Sequence, residues 1–338
     1  MIDSASFLRG GDIPQYKGEI GSPRLSLTSD VLNHRKCQRK YGLYKVRGFE
    51  ASAPTAEFVG TFAHRSMEKA WHEAREGKPP DQTRMIAIME SIVNQLMYEE
   101  KRKPHSKGGV LKAGWQVMRM HATLLHRGLY DGLVDMERRL RYSHDDYVLE
   151  GVIDAIFDSD KSVMLWDWKA ANDPRRALNS DTTNERSWNY NQRVMADYSL
   201  QLRVYHYLYE RAVGRAPDEC RIVFLGEIPV KHPPLKKRNL TEAWTDMDAG
   251  PLSDAEWDVF EAGSADPSSP GLFYTVSNES NEIGAAMKEF HEEAKRILAA
   301  RKVDEWCAPE QDCLPDRQTC LDCDFRESCP ALASHSSS

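Results

Sequence analysis

The feature that most constrains this chain is a pair of β-rich stretches separated by a short polar turn. Residues 147–158 read YVLEGVIDAIFD and residues 162–170 read SVMLWDWKA. β-branched and aromatic residues dominate both, and Ser159-Asp160-Lys161 supplies turn chemistry between them, so a β-hairpin is predicted. Successive strand side chains point to opposite faces. Asp167 and Lys169 therefore share one face, and Trp166 and Trp168 share the other. On the first strand Asp154 shares a face with Glu150, Val152 and Ile156. Folding the hairpin brings Asp154 within about a residue or two of register with 165–167.

Two carboxylates and an ammonium beside an apolar core cost free energy unless something binds them. Mg2+ or Mn2+ fits, because both prefer carboxylate and water oxygens. Such an ion neutralises a phosphodiester, holds an attacking water and lowers its pKa. Lys169 is placed to orient that water and to balance charge growing on phosphorus.

Flanking helices supply further polar groups. GTFAHRSMEKAW sets His64 and Glu68 four residues apart on one helix face, and a neutral imidazole is a competent Mn2+ ligand. After the hairpin, YSLQLRVYHYLYERAV predicts a helix over about 198–213. Leu200, Val204, Tyr207 and Leu208 form its apolar stripe, while Gln201 and Tyr205 are again four apart. Both are suited to hydrogen-bond a nucleic-acid backbone or the surroundings of Lys169.

Helical periodicity extends over 57–77, 83–102, 114–140 and about 280–303. Ser29 or Asp30 is expected to cap a short helix running through Cys37. RIVFLGEIPV at 221–230 reads as a strand closed by Pro229. Residues 172–197 read as polar and irregular. They carry Arg175, Arg176, Arg186, Trp188, Tyr190 and Arg193, an interleaving of cations and rings that suits single-stranded DNA.

Five of the seven cysteines, Cys307, Cys313, Cys320, Cys323 and Cys329, fall in the last 32 residues. The first residues lack the basic start and apolar core of an export signal, so a polar leader over 1–23 and a cytoplasmic, reducing compartment are expected. There, crowded thiols point to a metal or cluster site rather than disulfides. Cys320-x2-Cys323-x5-Cys329 is a compact three-thiolate unit. Its fourth ligand is Cys37, Cys313 or Cys307, and a C-terminal zinc site stays open. Cys220 reads as a buried thiol. Residues 331–338 read as a frayed tail.

The net charge of −7 confines any nucleic-acid site to a local basic groove. No apolar run approaches the ~18 residues that span a bilayer, so no membrane association is expected.

The order of these motifs resembles the RecB-like branch of the PD-(D/E)XK nucleases. The series is Cys37 with QRKYGLYKV, GTFAHRSME, LEGVID, WDWK, QLRVY and CLDCDFRESC. It is most similar to the iron–sulfur subset: CRISPR-associated RecB-like exonucleases, the AddB nuclease domain and the exonuclease V type. The resemblance covers about residues 25–330. It implies an α/β, restriction-endonuclease-like core: a central mixed sheet flanked by helices, with a helical insertion and termini stapled by the cluster. One nuclease domain would span 24–330, with 57–140 helical, 147–230 the catalytic sheet and 307–330 the cluster region. It implies a [4Fe-4S] cluster on Cys37, Cys320, Cys323 and Cys329. It implies His64, Asp154, Asp167 and the Trp168 carbonyl as metal ligands, Lys169 as catalytic lysine, and Gln201 and Tyr205 as support. DNA, as single strands or ends, is the implied substrate, with exonucleolytic cutting in recombination, repair or CRISPR adaptation. A helicase, recombinase or CRISPR integrase would be a separate partner. The alternative is a non-catalytic DNA-binding or assembly subunit. The chain departs from the family in Gln38, where proline often follows the cysteine, and in the 31 residues between Lys169 and Gln201.

Overall fold

The computed structural model describes residues 23–50, 57–104, 106–178, 185–230, 239–247, 249–264, 270–307, 319–320 and 323–330. Residues 1–22 of the leader expected over 1–23, the tail over 331–338 and Cys313 lie outside them. In chain order the main elements are β1 (Arg24–Ser26), α1 (Phe58–Arg75), α2 (Gln82–Asn94), α3 (Lys107–His126) and β2 (Leu133–Ser143). The hairpin follows as β3 (Val148–Asp158) and β4 (Val163–Lys169), then α4 (Glu185–Val213) and β5 (Glu219–Phe224). Last come α5 (Asp254–Ser264), β6 (Phe273–Val276) and α6 (Ser280–Val303). The chain divides into two compact units, 54–140 with 152–279, and 1–53 with 141–151 and 280–338.

The larger unit is a mixed sheet flanked by helices. β3 and β4 are antiparallel with Ala155 opposite Trp166. β4 and β5 are parallel with Asp167 beside Ile222, and β6 closes the order antiparallel to β5. β2 also pairs with β3. Parallel neighbours need a crossover, and α4 provides it, packing on β4, β5 and β6. The core joins sheet and helices through Phe58, Phe62, Trp71, Trp166, Trp168, Trp244 and Phe273. The Phe62 and Trp244 rings stack at 6.0 Å, and the Trp71 indole N–H donates to the Leu133 carbonyl oxygen at 3.0 Å. Among the described residues, no helix is long and apolar enough to cross a membrane.

Three sequence expectations change here. The periodic stretch 114–140 is not one helix: α3 stops, Gly128 takes φ 65°, and β2 begins at Leu133. The stretch 172–197 carries helix, with a helical turn at Arg175–Leu178 and α4 starting at Glu185. The strand after α4 is shorter than expected and gives way at Leu225 to a tight helical turn.

In the smaller unit, β1 runs parallel to Val148–Glu150. The helical segment that follows is capped by Ser26, whose hydroxyl accepts from Ser29 N–H at 3.1 Å. It breaks at Cys37, where the backbone is extended, and resumes over Gln38–Tyr41. Buried Asp30 accepts from the Tyr41 hydroxyl at 2.8 Å and lies 3.5 Å from Arg301 of α6. His34 pairs with Glu293 of α6 at 2.5 Å.

Candidate active site

The register of β3 against β4 sets Asp154 one step beyond the Ala155–Trp166 pair, next to Asp167. Asp154 is 6% exposed and Asp167 1% exposed. Buried carboxylates need donors, and the strand supplies one: Trp168 N–H donates to Asp154 Oδ2 at 2.7 Å. α1 brings His64 to the main chain of the same residue, with Nε2 2.9 Å from the Trp168 carbonyl oxygen. His64 Nδ1 lies 2.8 Å from Glu137 Oε1 and 3.6 Å from Asp154 Oδ1.

The other side of the site is built by β4 and α4. Lys169 Nζ sits 2.5 Å from Asp167 Oδ2 and donates to Gln201 Oε1 at 3.0 Å. Gln201 Nε2 donates to Asp167 Oδ1 at 2.8 Å and to the Tyr205 hydroxyl at 3.1 Å. Lys169 also lies 4.6 Å over the Tyr198 ring. One buried amide thus fixes both the carboxylate and the ammonium of the D-x-K pair. Asp154, Asp167, Trp168, Lys169, Gln201, Tyr205 and His64 are all brought together.

The electrostatics follow from this crowding. Burial, reinforced by Asp167 and Glu137 and opposed by His64 and Lys169, raises the Asp154 carboxyl to about 8. Burial opposes charge on His64, but Asp154 and Glu137 prevail and hold the imidazole up to about 9. Lys169 is likewise raised, because Asp167 and Asp154 outweigh the cost of its burial. The shifts of Asp154 and His64 both favour the protonated forms, and a divalent cation in this place would compete with those protons. The donor set fits Mg2+ or Mn2+: carboxylate oxygens, a main-chain carbonyl and an imidazole nitrogen. Ligand atoms of His64, Glu137 and Asp154 all lie within 4.8 Å of one another.

Glu137 was not expected from the sequence. It enters from β2 with φ 50°. Glu68, one turn along α1 from His64, is raised by burial and then by the charge of Glu137.

The expected DNA-binding cluster separates. Arg175 is 6% exposed and paired to Asp173 at 2.6 Å, with its guanidinium over the Tyr274 ring. It holds the loop after β4 against β6 and is too buried to meet a phosphate. Arg176 pairs with Glu227 at the surface. Tyr190 is exposed, with Arg193 5.8 Å over its ring. The side chains of Arg186 and Trp188 lie outside the described residues.

In the smaller unit none of Cys37, Cys320, Cys323 and Cys329 is held in a disulfide. Cys37 takes Lys40 N–H on its sulfur at 3.4 Å. Burial raises its pKa, and the neighbouring Cys323 and Cys329 raise it further. Tyr44 ties the two segments together: its hydroxyl donates to Asp324 Oδ2 at 2.8 Å and accepts from Asp324 N–H at 2.7 Å. Phe325 packs on Tyr44 and Phe49, and Lys40 Nζ donates to the Thr319 carbonyl at 3.3 Å. Cys307 is exposed.

A family model described as the PD-(D/E)XK nuclease superfamily matches residues 28–330. A search of curated proteins finds no match.

Proposed function

The chain belongs to the PD-(D/E)XK nuclease superfamily, and from that premise we propose that it is a RecB-like, Mg2+- or Mn2+-dependent deoxyribonuclease with an iron–sulfur cluster. The reading has it degrade DNA from ends, favouring single strands. The observation that carries the nuclease reading is the meeting of Asp154, Asp167, Lys169 and the Trp168 peptide at one edge of the hairpin.

In this reading His64, Asp154, Asp167 and the Trp168 carbonyl hold the cation. It supplies charge neutralisation at the scissile phosphate and a water of lowered pKa. The rest is protein chemistry. Gln201 holds Asp167 and Lys169 in fixed orientation. The Lys169 ammonium orients the attacking water and balances charge on phosphorus. Tyr205 anchors Gln201 from the buried side. Tyr190 and Arg193, a ring under a cation near the start of α4, suit an unpaired base and its phosphate. Cys37, Cys320, Cys323 and Cys329 fit a [4Fe-4S] cluster as four cysteines outside any disulfide, on two segments already packed together. A helicase, recombinase or integrase acting as a separate subunit completes the reading.

The test is digestion of end-labelled single- and double-stranded DNA with Mn2+ by anaerobically purified protein. Asp167→Asn and Lys169→Ala should each slow cutting by about 10²-fold or more while DNA is still retained. If both variants cut like the parent, the site is elsewhere. The cluster predicts brown protein with iron and sulfide, and Cys323→Ala should bleach it. Colourless, zinc-loaded protein would replace the cluster with a structural zinc.

A further inference from the structure

Glu137 does something in this site that the D-x-K motif does not explain. Its backbone adopts φ 50° within β2. For a residue with a side chain, that left-handed conformation is strained and persists only where the surroundings impose it. The carboxylate so placed meets His64 Nδ1 at 2.8 Å. His64 Nε2, on the opposite side of the ring, meets the Trp168 carbonyl oxygen at 2.9 Å. The ring is thus held at both nitrogens.

We propose that Glu137 is a positioning residue for His64. By accepting the Nδ1–H, its carboxylate fixes the tautomer and turn of the imidazole, so that Nε2 is presented beside the Trp168 carbonyl oxygen as a ligand atom. A carboxylate behind a ligating histidine also raises the basicity of the ligating nitrogen. The inference rests on the divalent-cation reading above and adds to it a residue outside the motif. Glu137 acts through His64 and does not itself bind the ion.

The test measures Mn2+ binding to the full chain by calorimetry, so the readout is affinity, not cleavage. The series is parent, Glu137→Ala, Glu137→Gln, His64→Ala and the His64→Ala/Glu137→Ala double variant, each checked by thermal melting. Glu137→Ala should weaken binding by about 10–100-fold. Glu137→Gln should recover most of that loss, because the amide oxygen still accepts the Nδ1–H. The double variant should bind no more weakly than His64→Ala alone, as expected when one residue acts only through the other. Parent-like affinity in Glu137→Ala overturns the proposal. So does Glu137→Gln as weak as Glu137→Ala, which removes the hydrogen-bonded tautomer as the cause, or a double variant weaker than His64→Ala, which makes Glu137 a ligand in its own right. A parent protein that binds no Mn2+ overturns the cation reading and this proposal with it, whereas a binding parent with an indifferent Glu137 overturns only this one.

Discussion

At the scale of single residues, the buried amide of Gln201 is the most exposed to substitution. It satisfies Asp167 Oδ1 and Lys169 Nζ together. Gln201→Ala leaves a buried carboxylate oxygen without its donor, which costs about 1–3 kcal/mol. Urea denaturation should show that loss, and single-turnover cleavage should slow as Lys169 loses its guide; a variant as stable as the parent would mean the network relaxes freely. Asp154, Asp167, Lys169 and Gln201 were legible in the sequence because strand and helix periods alone put them on facing surfaces. Glu137 was not. Leu133, Met136 and Leu140 are the buried apolar residues of β2, and their spacing imitates a helix. The left-handed turn of the backbone at Glu137 breaks the two-residue alternation by which a strand is recognised.

At the scale of elements, helix packing sets how closely α3 approaches the rest of the larger unit. A Cβ added at Gly114 would fall 2.5 Å from the Trp244 indole, and Trp244 is itself stacked on Phe62 of α1. Gly114→Ala should therefore destabilise the unit by about 1–3 kcal/mol through overpacking, read as a lower urea midpoint with unchanged slope. A neutral or stabilising effect would mean that helix propensity outweighs the clash. The hairpin, α1 and α6 could be read from pattern because each is strongly periodic. The α3–β2 break could not, since Gly128 ends a helix only by adopting a positive φ, and a lone glycine in a periodic stretch is compatible with either outcome. The early start of α4 was hidden by its polar first turns, which lack the apolar stripe.

At the scale of the whole molecule, two buried histidines work against the fold in acid. His121 is buried and neutral, with Nε2–H donated to the Pro80 carbonyl at 2.9 Å and Nδ1 facing the Tyr130 hydroxyl at 2.6 Å. His206 donates to the Pro217 carbonyl at 3.1 Å. Burial lowers the pKa of both below the ordinary value. Above about pH 6.5 the folded and unfolded states are both neutral at these rings and the pair has no effect. Below it the unfolded chain takes up protons that the folded chain refuses, so stability falls until the depressed folded values are reached. Between about pH 7.5 and about pH 5.5 the parent's urea midpoint should lose ground relative to that of the His121→Gln/His206→Gln double variant. A double variant with the parent's full pH response would assign the effect to other groups.

The main chain of Trp168 gives its N–H to Asp154 and its oxygen to His64, so part of the site is written in the backbone and not in any side chain. Every amino acid but proline carries the same two groups. Exchanging the indole for another bulky apolar side chain would alter the packing beneath β4 yet leave both contacts in place. What this part of the site cannot survive is a shift of the strand by a single position, which would hand the two contacts to a neighbouring peptide and turn Asp167 and Lys169 into the core. The identity of the tryptophan is thus a matter of packing, while the alignment of the strand is a matter of chemistry.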